Sequence, residues 1–275
     1  MGLPRTPEVN VVVHSERLPA PVIPRQTTRT TVRRVTAATD GSYWGHAALD
    51  WGARYASSVG AELDVYEADR RYEDIPADVP ADIGTGSVLS SFPTLPVRVR
   101  RCGRDPVTTL LLAATVSDLV VLGSRGHHRR HIGVGHNALT LAASARCDVV
   151  VVRGRLEAVR GTLRDVTALV SSSEVDDAVL LRAREFAART RSGLRVVLAG
   201  DAIDAEPRFG ISVEVQHRTP LEVVSDLTAT GLLVVGHHHL PGSARLGLVT
   251  RAALHHAPCP VMVVRCAEIH TPASR

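Results

Sequence analysis

Two short segments of this sequence carry residues that could hold an anion. Ala38-Thr39-Asp40-Gly41-Ser42 follows one apolar run; Gly123-Ser124-Arg125-Gly126 follows another, with Gly135 further on at the start of an amphipathic stretch. Glycine has no Cβ, so a ligand can approach the backbone N–H groups closely, and a helix N-terminus adds partial positive charge. Asp40 could accept a hydrogen bond from a ribose hydroxyl or an adenine amine. These residues predict a site for a phosphorylated nucleoside.

The same residues also have a purely structural interpretation. Asp40 and Ser42 are typical helix-capping residues, and glycines are typical of turns. Any one of them taken alone favours that interpretation. Because both segments follow apolar runs, we expect them at one edge of a sheet, and their combination favours a ligand site.

Strand and helix signals alternate along the chain and predict the elements that position these segments. In the first half we expect strands at Val32–Ala38, Leu63–Glu67, Val97–Arg101, Leu119–Leu122 and Val149–Val152, with helices at Ser42–Ser58, Pro106–Thr115 and His136–Ala145. In the second half we expect strands at Val166–Val170, Leu194–Leu198, Ile211–Gln216, Leu232–Val235 and Val261–Val264, with helices at Val175–Arg191, Pro220–Thr228 and Val249–Ala257. This alternation predicts parallel sheets covered on both faces.

The end of each half is a variant of the same segment. DLVVLGSRG and ARCDVVVVR near the end of the first half correspond to TGLLVVGHH and APCPVMVVR near the end of the second. We therefore predict an α/β protein of two tandem doubly wound domains, each a five-stranded parallel sheet with helices on both faces. The expected boundaries are a mobile leader over 1–30, domains over 31–155 and 162–267, and a tail over 268–275. Asp69–Pro96 is rich in Pro, Asp and Ser and is expected to be a surface excursion with one short helical turn.

Composition excludes several classes of protein. All 32 basic residues among the 275 are arginine, which excludes P-loop enzymes, protein kinases and Schiff-base enzymes because each needs a lysine. The net charge of +4 and the 3% of aromatic residues argue against a nucleic-acid partner, and no apolar run is long enough to predict a membrane partner. Four cysteines without a CxxC pair and a leader without a signal-peptide core favour the cytoplasm.

The chain resembles a tandem universal stress protein, most closely in its first half. The resemblance lies in Asp40-Gly41-Ser42 with Ala48-Leu49 and Trp51, in Asp105-Pro106, and in DLVVLGSRGH and ARCDVVVVR. It covers nearly all of both halves beyond the leader. It implies adenine-nucleotide-binding-like α/β domains, whose ATP-binding type carries the pattern G-x2-G-x9-G-(S/T).

The pattern is imperfect in this chain. Either the spacing is G-x2-G-x8-G, ending at Gly135 with His136 in the hydroxyl position, or the longer spacing is kept and His136-Asn137 replaces the Gly-Ser pair. An imidazole can replace the hydroxyl as a donor, and His127–His131 add further donors, although so bulky a loop could equally obstruct the pocket. The candidate nucleotide-binding residues are Ala38, Thr39, Asp40, Glu67, Gly123, Arg125, Gly126, Gly135, His136 and Asn137.

The second half departs further from the family pattern. Ser171-Ser172-Ser173 replaces Asp-Gly-Ser, His239 replaces the second glycine, and Leu248 stands at the hydroxyl position. We therefore expect no nucleotide in this half. The resemblance implies that the half pairs with the first through the last strands Val149–Val152 and Val261–Val264, as family dimers do. The run His237-His238-His239 is expected to be a solvated loop, because no metal-ligand spacing accompanies it.

The resemblance implies a stress-associated regulatory or signalling protein that binds ATP, with or without Mg²⁺, in its first domain and uses the second as a scaffold. We expect no catalysis, since there is no G-x-S-x-G elbow and no carboxylate is suitably placed for an ATPase. An unidentified regulatory protein and a second copy of the chain in a homodimer are the other expected partners. The alternative is an interaction or scaffold protein that binds no nucleotide because both pockets have decayed.

Overall fold

The computed structural model describes residues 32–68, 83–102, 105–126, 133–170, 175–199, 213–238 and 246–266, which alternate between strands and helices as expected for an α/β fold. The described strands are β1 Arg34–Thr39, β2 Glu62–Ala68, β3 Val97–Cys102, β4 Leu119–Gly123, β5 Asp148–Val152, β6 Asp165–Val170, β7 Leu194–Ala199, β8 Val213–Gln216, β9 Thr230–His238 and β10 Val261–Cys266. The described helices are α1 Tyr43–Val59, α2 Ile83–Ser90, α3 Pro106–Ala113, α4 His136–Ser144, α5 Leu156–Val159, α6 Val175–Thr190, α7 Pro220–Ser225 and α8 Leu248–His256.

The described strands join in one ten-stranded sheet in the order β3-β2-β1-β4-β5-β10-β9-β6-β7-β8. Neighbouring strands are parallel within each half, and β5 and β10 are antiparallel at the centre, with Met262 opposite Val150. Each half has the same strand order, so the two halves are related by an approximate two-fold rotation. The fold class and the pairing through the last strands are confirmed; the two five-stranded sheets form one continuous mixed sheet.

The first half changes winding direction beside β1. This strand lies between β2 and β4, and the chain leaves β1 for α1 on one face and β4 for α4 on the other. The carboxyl ends of β1 and β4 therefore open a crevice between two helices, which is where doubly wound sheets bind ligands.

The core has one layer on each face of the sheet. Residues of α1 and α6 pack on one face, and residues of α3, α4, α7 and α8 pack on the other. On the first face the rings of Trp51 and Tyr55 from α1 stack with Phe186 from α6, with ring centroids 4.9 to 6.0 Å apart. The two halves thus share a hydrophobic layer in addition to a sheet.

Local sequence sets the limits of the helices. The Ser42 hydroxyl accepts a hydrogen bond from the Gly45 N–H at 3.1 Å and caps α1, which ends at Gly60 in the left-handed conformation, φ 70°. Asp105 before Pro106 starts α3, and a capping box of Thr219 with Glu222 starts α7. No helix in the described ranges combines the length and apolarity that crossing a membrane requires.

Some elements differ from the sequence prediction. β9 extends to His238, and His237 is buried with its Nε2 3.1 Å from the carbonyl oxygen of Ala143, so the expectation of a solvated loop is wrong for this residue. The short helix α5 was not predicted, and the excursion carries a helix of 8 residues, α2, rather than a single turn. Cys147 and Cys259 are free, and burial raises the pKa of each thiol to about 12, so both are protonated hydrophobic side chains.

Candidate functional site

The turn after β1 is held by its own side chains. The Asp40 Oδ1 accepts a hydrogen bond from the Ser42 N–H at 3.0 Å, and the Thr39 Oγ1 accepts one from the Gly41 N–H at 3.1 Å. Gly41 has φ 77°, a conformation that favours glycine. The capping role that the structural interpretation gave to Ser42 is observed. Asp40 is held by the turn in a fixed position at the carboxyl end of β1.

The loop after β4 lies against this turn. The Ser42 hydroxyl donates to the carbonyl oxygen of Arg125 at 3.3 Å. A Cβ placed on Gly126 would lie 2.5 Å from the Asp40 Oδ2, so the carboxylate faces the backbone of the glycine loop directly. The structure therefore brings together the two segments that the sequence placed at one sheet edge.

The glycines of this region have different reasons for being glycine. A Cβ on Gly123 would lie 2.5 Å from the carbonyl oxygen of Trp44, so Gly123 allows α1 to pack against the end of β4. A Cβ on Gly45 would lie 2.7 Å from the Asp40 Oδ1. Gly126 differs because its neighbour is the outer oxygen of Asp40, on the ligand edge. Of these three glycines, Gly126 is therefore the one whose missing side chain leaves room for the Oδ2 of Asp40 beside the glycine loop.

The start of α4 completes this part of the crevice. The Gly135 N–H donates to the carbonyl oxygen of Ser124 at 2.7 Å, and the Arg125 Nε donates to the carbonyl oxygen of Gly133 at 2.6 Å. Gly135 occupies the cap position of α4 and has no side chain to bind the N–H groups of the first turn. The backbone N–H groups of His136 and Asn137 are in that turn, as the sequence prediction requires for an anion site.

The remaining predicted residues lie around the same edge. His136 and Asn137 have exposed side chains, and the His136 Nε2 lies 3.4 Å from the Thr140 Oγ1 of its own helix. Ala38 and Glu67 are half-buried, Glu67 being opposite Thr39 on β2. The histidines and arginines of 127–131 lie outside the described residues.

The second half has different chemistry at the matching helix. Gly247 caps α8 as Gly135 caps α4, but the first helical residue is Leu248, 84% exposed, where the first half has His136. An aliphatic side chain offers no hydrogen-bond donor. The predicted departures at Ser171–Ser173 and His239 lie outside the described residues. Within the described ranges, no three His, Cys, Asp or Glu side chains are grouped closely enough to bind a metal ion.

One residue beside the glycine loop comes from the second half and is not apparent in the sequence. A Cβ on Gly133 would lie 3.2 Å from the Nδ1 of His255, which belongs to α8 in the second half. Arg153, the residue after β5, donates through Nη1 to the carbonyl oxygen of Leu254 on the same helix. The only signal in the sequence was the pair His255-His256, and nothing in its spacing related it to the first half.

Comparison with known proteins identifies the family. The universal stress protein family matches residues 31–153 and 217–265, so the chain belongs to that family. A universal stress protein structure from Pseudomonas aeruginosa UCBPP-PA14 is 11% identical, covers 85% of this chain and 93% of its own, and has a TM-score of 0.64. One from Archaeoglobus fulgidus DSM 4304 is 16% identical, covers 84% of this chain and 96% of its own, and has a TM-score of 0.62.

A further structure matches one half of the chain. It is a universal stress protein in complex with cAMP, 21% identical over 45% of this chain and 99% of its own, with a TM-score of 0.35. A search of the curated proteins gave no match. The full-length similarities support the tandem fold, and their low identities leave the ligand to be inferred from this chain's own residues.

Proposed function

We propose that this chain is a stress-associated regulatory protein that binds an adenine nucleotide, ATP in the first instance, in its first half. The observation that carries the proposal is the position of the Asp40 carboxylate in the space that a Cβ on Gly126 would need, beside the start of α4, which has no side-chain cap. In this arrangement Asp40 accepts from the ribose or the adenine. Gly126 and the first turn of α4 receive the phosphates, and Arg125 supplies positive charge.

The ten residues have graded roles in this proposal. Asp40, Gly126, His136 and Asn137 offer polar groups to the ligand, and Arg125 and Glu67 lie at the rim. Ala38, Thr39, Gly123 and Gly135 shape the walls of the crevice. Mg²⁺ would accompany the phosphates as their counterion. In this proposal the protein binds the nucleotide without hydrolysing it. Hydrolysis would need a residue that positions an attacking water, and none of the described residues is assigned that role.

The second half serves as the scaffold in this proposal. It offers Leu248 where the first half offers His136, and it covers the β5 edge of the first half with β10. Binding of the nucleotide would favour one arrangement of the glycine loop, which a regulatory protein in the cytoplasm then recognises. Alternatively, a second copy of the chain recognises this arrangement and forms a homodimer.

The test is the identity and stoichiometry of the bound ligand. Mass spectrometry of the native protein should find an adenine nucleotide, and calorimetric titration with ATP and Mg²⁺ should give one site per chain. AMP, ADP and cAMP complete the panel of ligands. Two equivalent sites would contradict the assignment to the first half. If no nucleotide binds under any condition, the alternative holds and the chain is an interaction or scaffold protein that binds no nucleotide.

A further inference from the structure

Three arginines and one histidine lie beside the glycine loop, and they come from both halves of the molecule. Arg125 leaves the end of β4 and donates to Gly133, and Arg153 leaves the end of β5. β4 and β5 are parallel neighbours, so these arginines lie at the same sheet edge. His255 and Arg251 lie one helical turn apart on α8, with His255 against Gly133.

Along the described glycine loop, Asp40 is the acidic residue that faces Gly126 beside Arg125, and it forms no ion pair with these four groups. Within the described ranges, no carboxylate forms an ion pair with Arg125, Arg153, Arg251 or His255. The Arg153 Nε is buried without a hydrogen-bond partner among the described residues. Like charges brought together without a counter-charge repel one another, and a bound anion removes that repulsion.

The electrostatic consequences agree with the geometry. Burial, followed by the neighbouring charges of His256, Arg153 and Arg251, lowers the pKa of His255. Burial lowers the pKa of Arg153 to about 10, and the charge of Arg125 contributes in the same direction although Cys259 opposes it. His255 in the second half is therefore close enough to Arg153 in the first half for the charge of Arg153 to affect its pKa.

We infer that Arg125, Arg153 and His255 form a phosphate subsite shared by the two halves, with Arg251 at its edge, which receives the terminal phosphate of a nucleoside polyphosphate. The nucleotide part rests on the proposed function. The anion-binding part stands on the cluster alone, because inorganic polyphosphate has the same chemistry. The second half then contributes a ligand-binding group and is more than a scaffold.

The experiment uses the full chain with two probes, ATP and inorganic tripolyphosphate, titrated by calorimetry at constant ionic strength. His255→Gln should weaken both by about tenfold or more, since it removes a charge-assisted hydrogen bond. His256→Gln is the matched control, because His256 is the exposed neighbour of His255 on the same helix. Its affinities should not fall below those of the unaltered protein, because loss of the His256 charge can only favour the charged form of His255. AMP affinity should not respond to His255→Gln.

Arg125→Gln is the second variant, with an exposed side chain whose loss leaves the core intact. It should weaken tripolyphosphate as His255→Gln does, and circular dichroism should show unchanged folding. Equal affinities in the His255 and His256 variants, or no binding of tripolyphosphate by the unaltered protein, would overturn the subsite. Tripolyphosphate binding that depends on His255 in a protein that binds no nucleotide would keep the subsite and refute the proposed function. If the protein binds ATP and His255→Gln does not change the affinity, the proposed function stands and the subsite is refuted.

Discussion

The Asp40 carboxylate has two tasks that use different oxygens. Its Oδ1 accepts from the Ser42 N–H and holds the turn after β1, while its Oδ2 faces Gly126. An asparagine can keep the first task through its amide oxygen but presents an NH₂ group to the second. The two tasks can therefore be separated by substitution.

We predict that Asp40→Asn weakens ATP binding with little loss of stability. The ligand hydroxyl or amine would meet a donor instead of an acceptor, which costs on the order of 1–3 kcal/mol. Asp40→Ala should weaken binding to a similar degree and also destabilise the turn. Calorimetric titration and thermal unfolding of both variants measure the two effects. Unchanged ATP affinity in Asp40→Asn would remove Asp40 from the site.

Gly126→Ala tests the same approach of Asp40 to Gly126 by changing the glycine instead of the carboxylate. The backbone of Gly126 does not have the positive φ that disfavours alanine, but the new Cβ would lie 2.5 Å from the Asp40 Oδ2 and displace it. We expect nucleotide affinity to fall at least as much as in Asp40→Asn. Gly247→Ala is the control, since a Cβ there meets nothing within 4 Å in the second half. Equal binding by both alanine variants would show that the glycine loop is not the ligand edge.

Sequence patterns could place Asp40 and Gly126 together because each directly follows a strand of one parallel sheet. The approach of His255 to Gly133 could not be predicted in this way. Those residues belong to different halves, and their contact depends on how β5 and β10 bring α8 to the first half. The sequence also gives no sign of why position 123 is glycine, because the reason is the close packing of Trp44 and not the approach of a ligand.

At the scale of elements, α8 gives ligand binding a pH dependence with a definite sign. Burial and the charges of His256, Arg153 and Arg251 lower the pKa of His255 in the protein without ligand. Its contribution to stability is therefore lost as pH falls below about 6.5, the value for an unperturbed histidine. A bound phosphate favours the charged imidazole and raises that pKa, so binding takes up a proton.

We predict that ATP affinity increases as pH falls through the range in which His255 titrates. His255→Gln should flatten this dependence more than His136→Ser does, because the His136 side chain is exposed beside Thr140. Calorimetry in buffers of different ionisation enthalpy measures the proton uptake directly. If His136→Ser flattens the curve and His255→Gln does not, the proton is taken up at His136, where the family pattern has a hydroxyl.

A second contact between elements joins β5, α6 and β10. The buried Asp148 carboxylate pairs with the Arg182 Nε at 2.6 Å and accepts from the Arg265 N–H at 3.0 Å. Arg182 also pairs with Glu185 at 3.0 Å. Burial raises the pKa of Asp148, and Arg182 opposes the rise. The charged form of the carboxylate is thus stabilised largely by a partner from the other half.

We predict that Arg182→Met destabilises the protein by on the order of 3 kcal/mol near neutral pH, because it leaves a buried carboxylate unpaired. A protonated Asp148 has no such cost, so the loss should be small below its unfolded pKa of about 3.9 and grow as pH rises through the folded pKa. Urea unfolding across that range measures it. The double variant with Asp148→Asn should recover most of the stability; no recovery would show that Arg182 acts through packing.

Uninterrupted apolar runs made some strands predictable from sequence. Strands such as β5, an uninterrupted apolar run, were predicted to within one residue at each end. The extension of β9 through His237 was not, because histidine in sequence gives no sign that a neighbouring helix will supply an acceptor for its ring. The helix α5 has only 4 residues and too little periodicity to detect.

At the scale of the whole molecule, the two halves should behave as one folding unit. They share a sheet through β5 and β10, and the stack of Trp51, Tyr55 and Phe186 joins α1 to α6 on one face. If the halves separated, β5 of the first half and β10 of the second would each become an exposed apolar edge strand. The edges of the joined sheet are β3 and β8, where charged side chains such as Arg98 and Glu214 lie.

The positions of the tryptophans allow that unity to be tested. Both, Trp44 and Trp51, lie in α1, so fluorescence reports on the first half and on the contact of Trp51 with Phe186, whereas circular dichroism reports on the secondary structure of both halves. We predict coincident urea transitions by the two probes. Phe186→Ala in the second half should shift both transitions equally, by about 3–5 kcal/mol of unfolding free energy. Leu221→Ala, at an exposed position of α7, should shift neither by more than about 1 kcal/mol. Separate transitions, or a Phe186→Ala effect on circular dichroism alone, would mean that the halves unfold independently and that the second half is an attached partner.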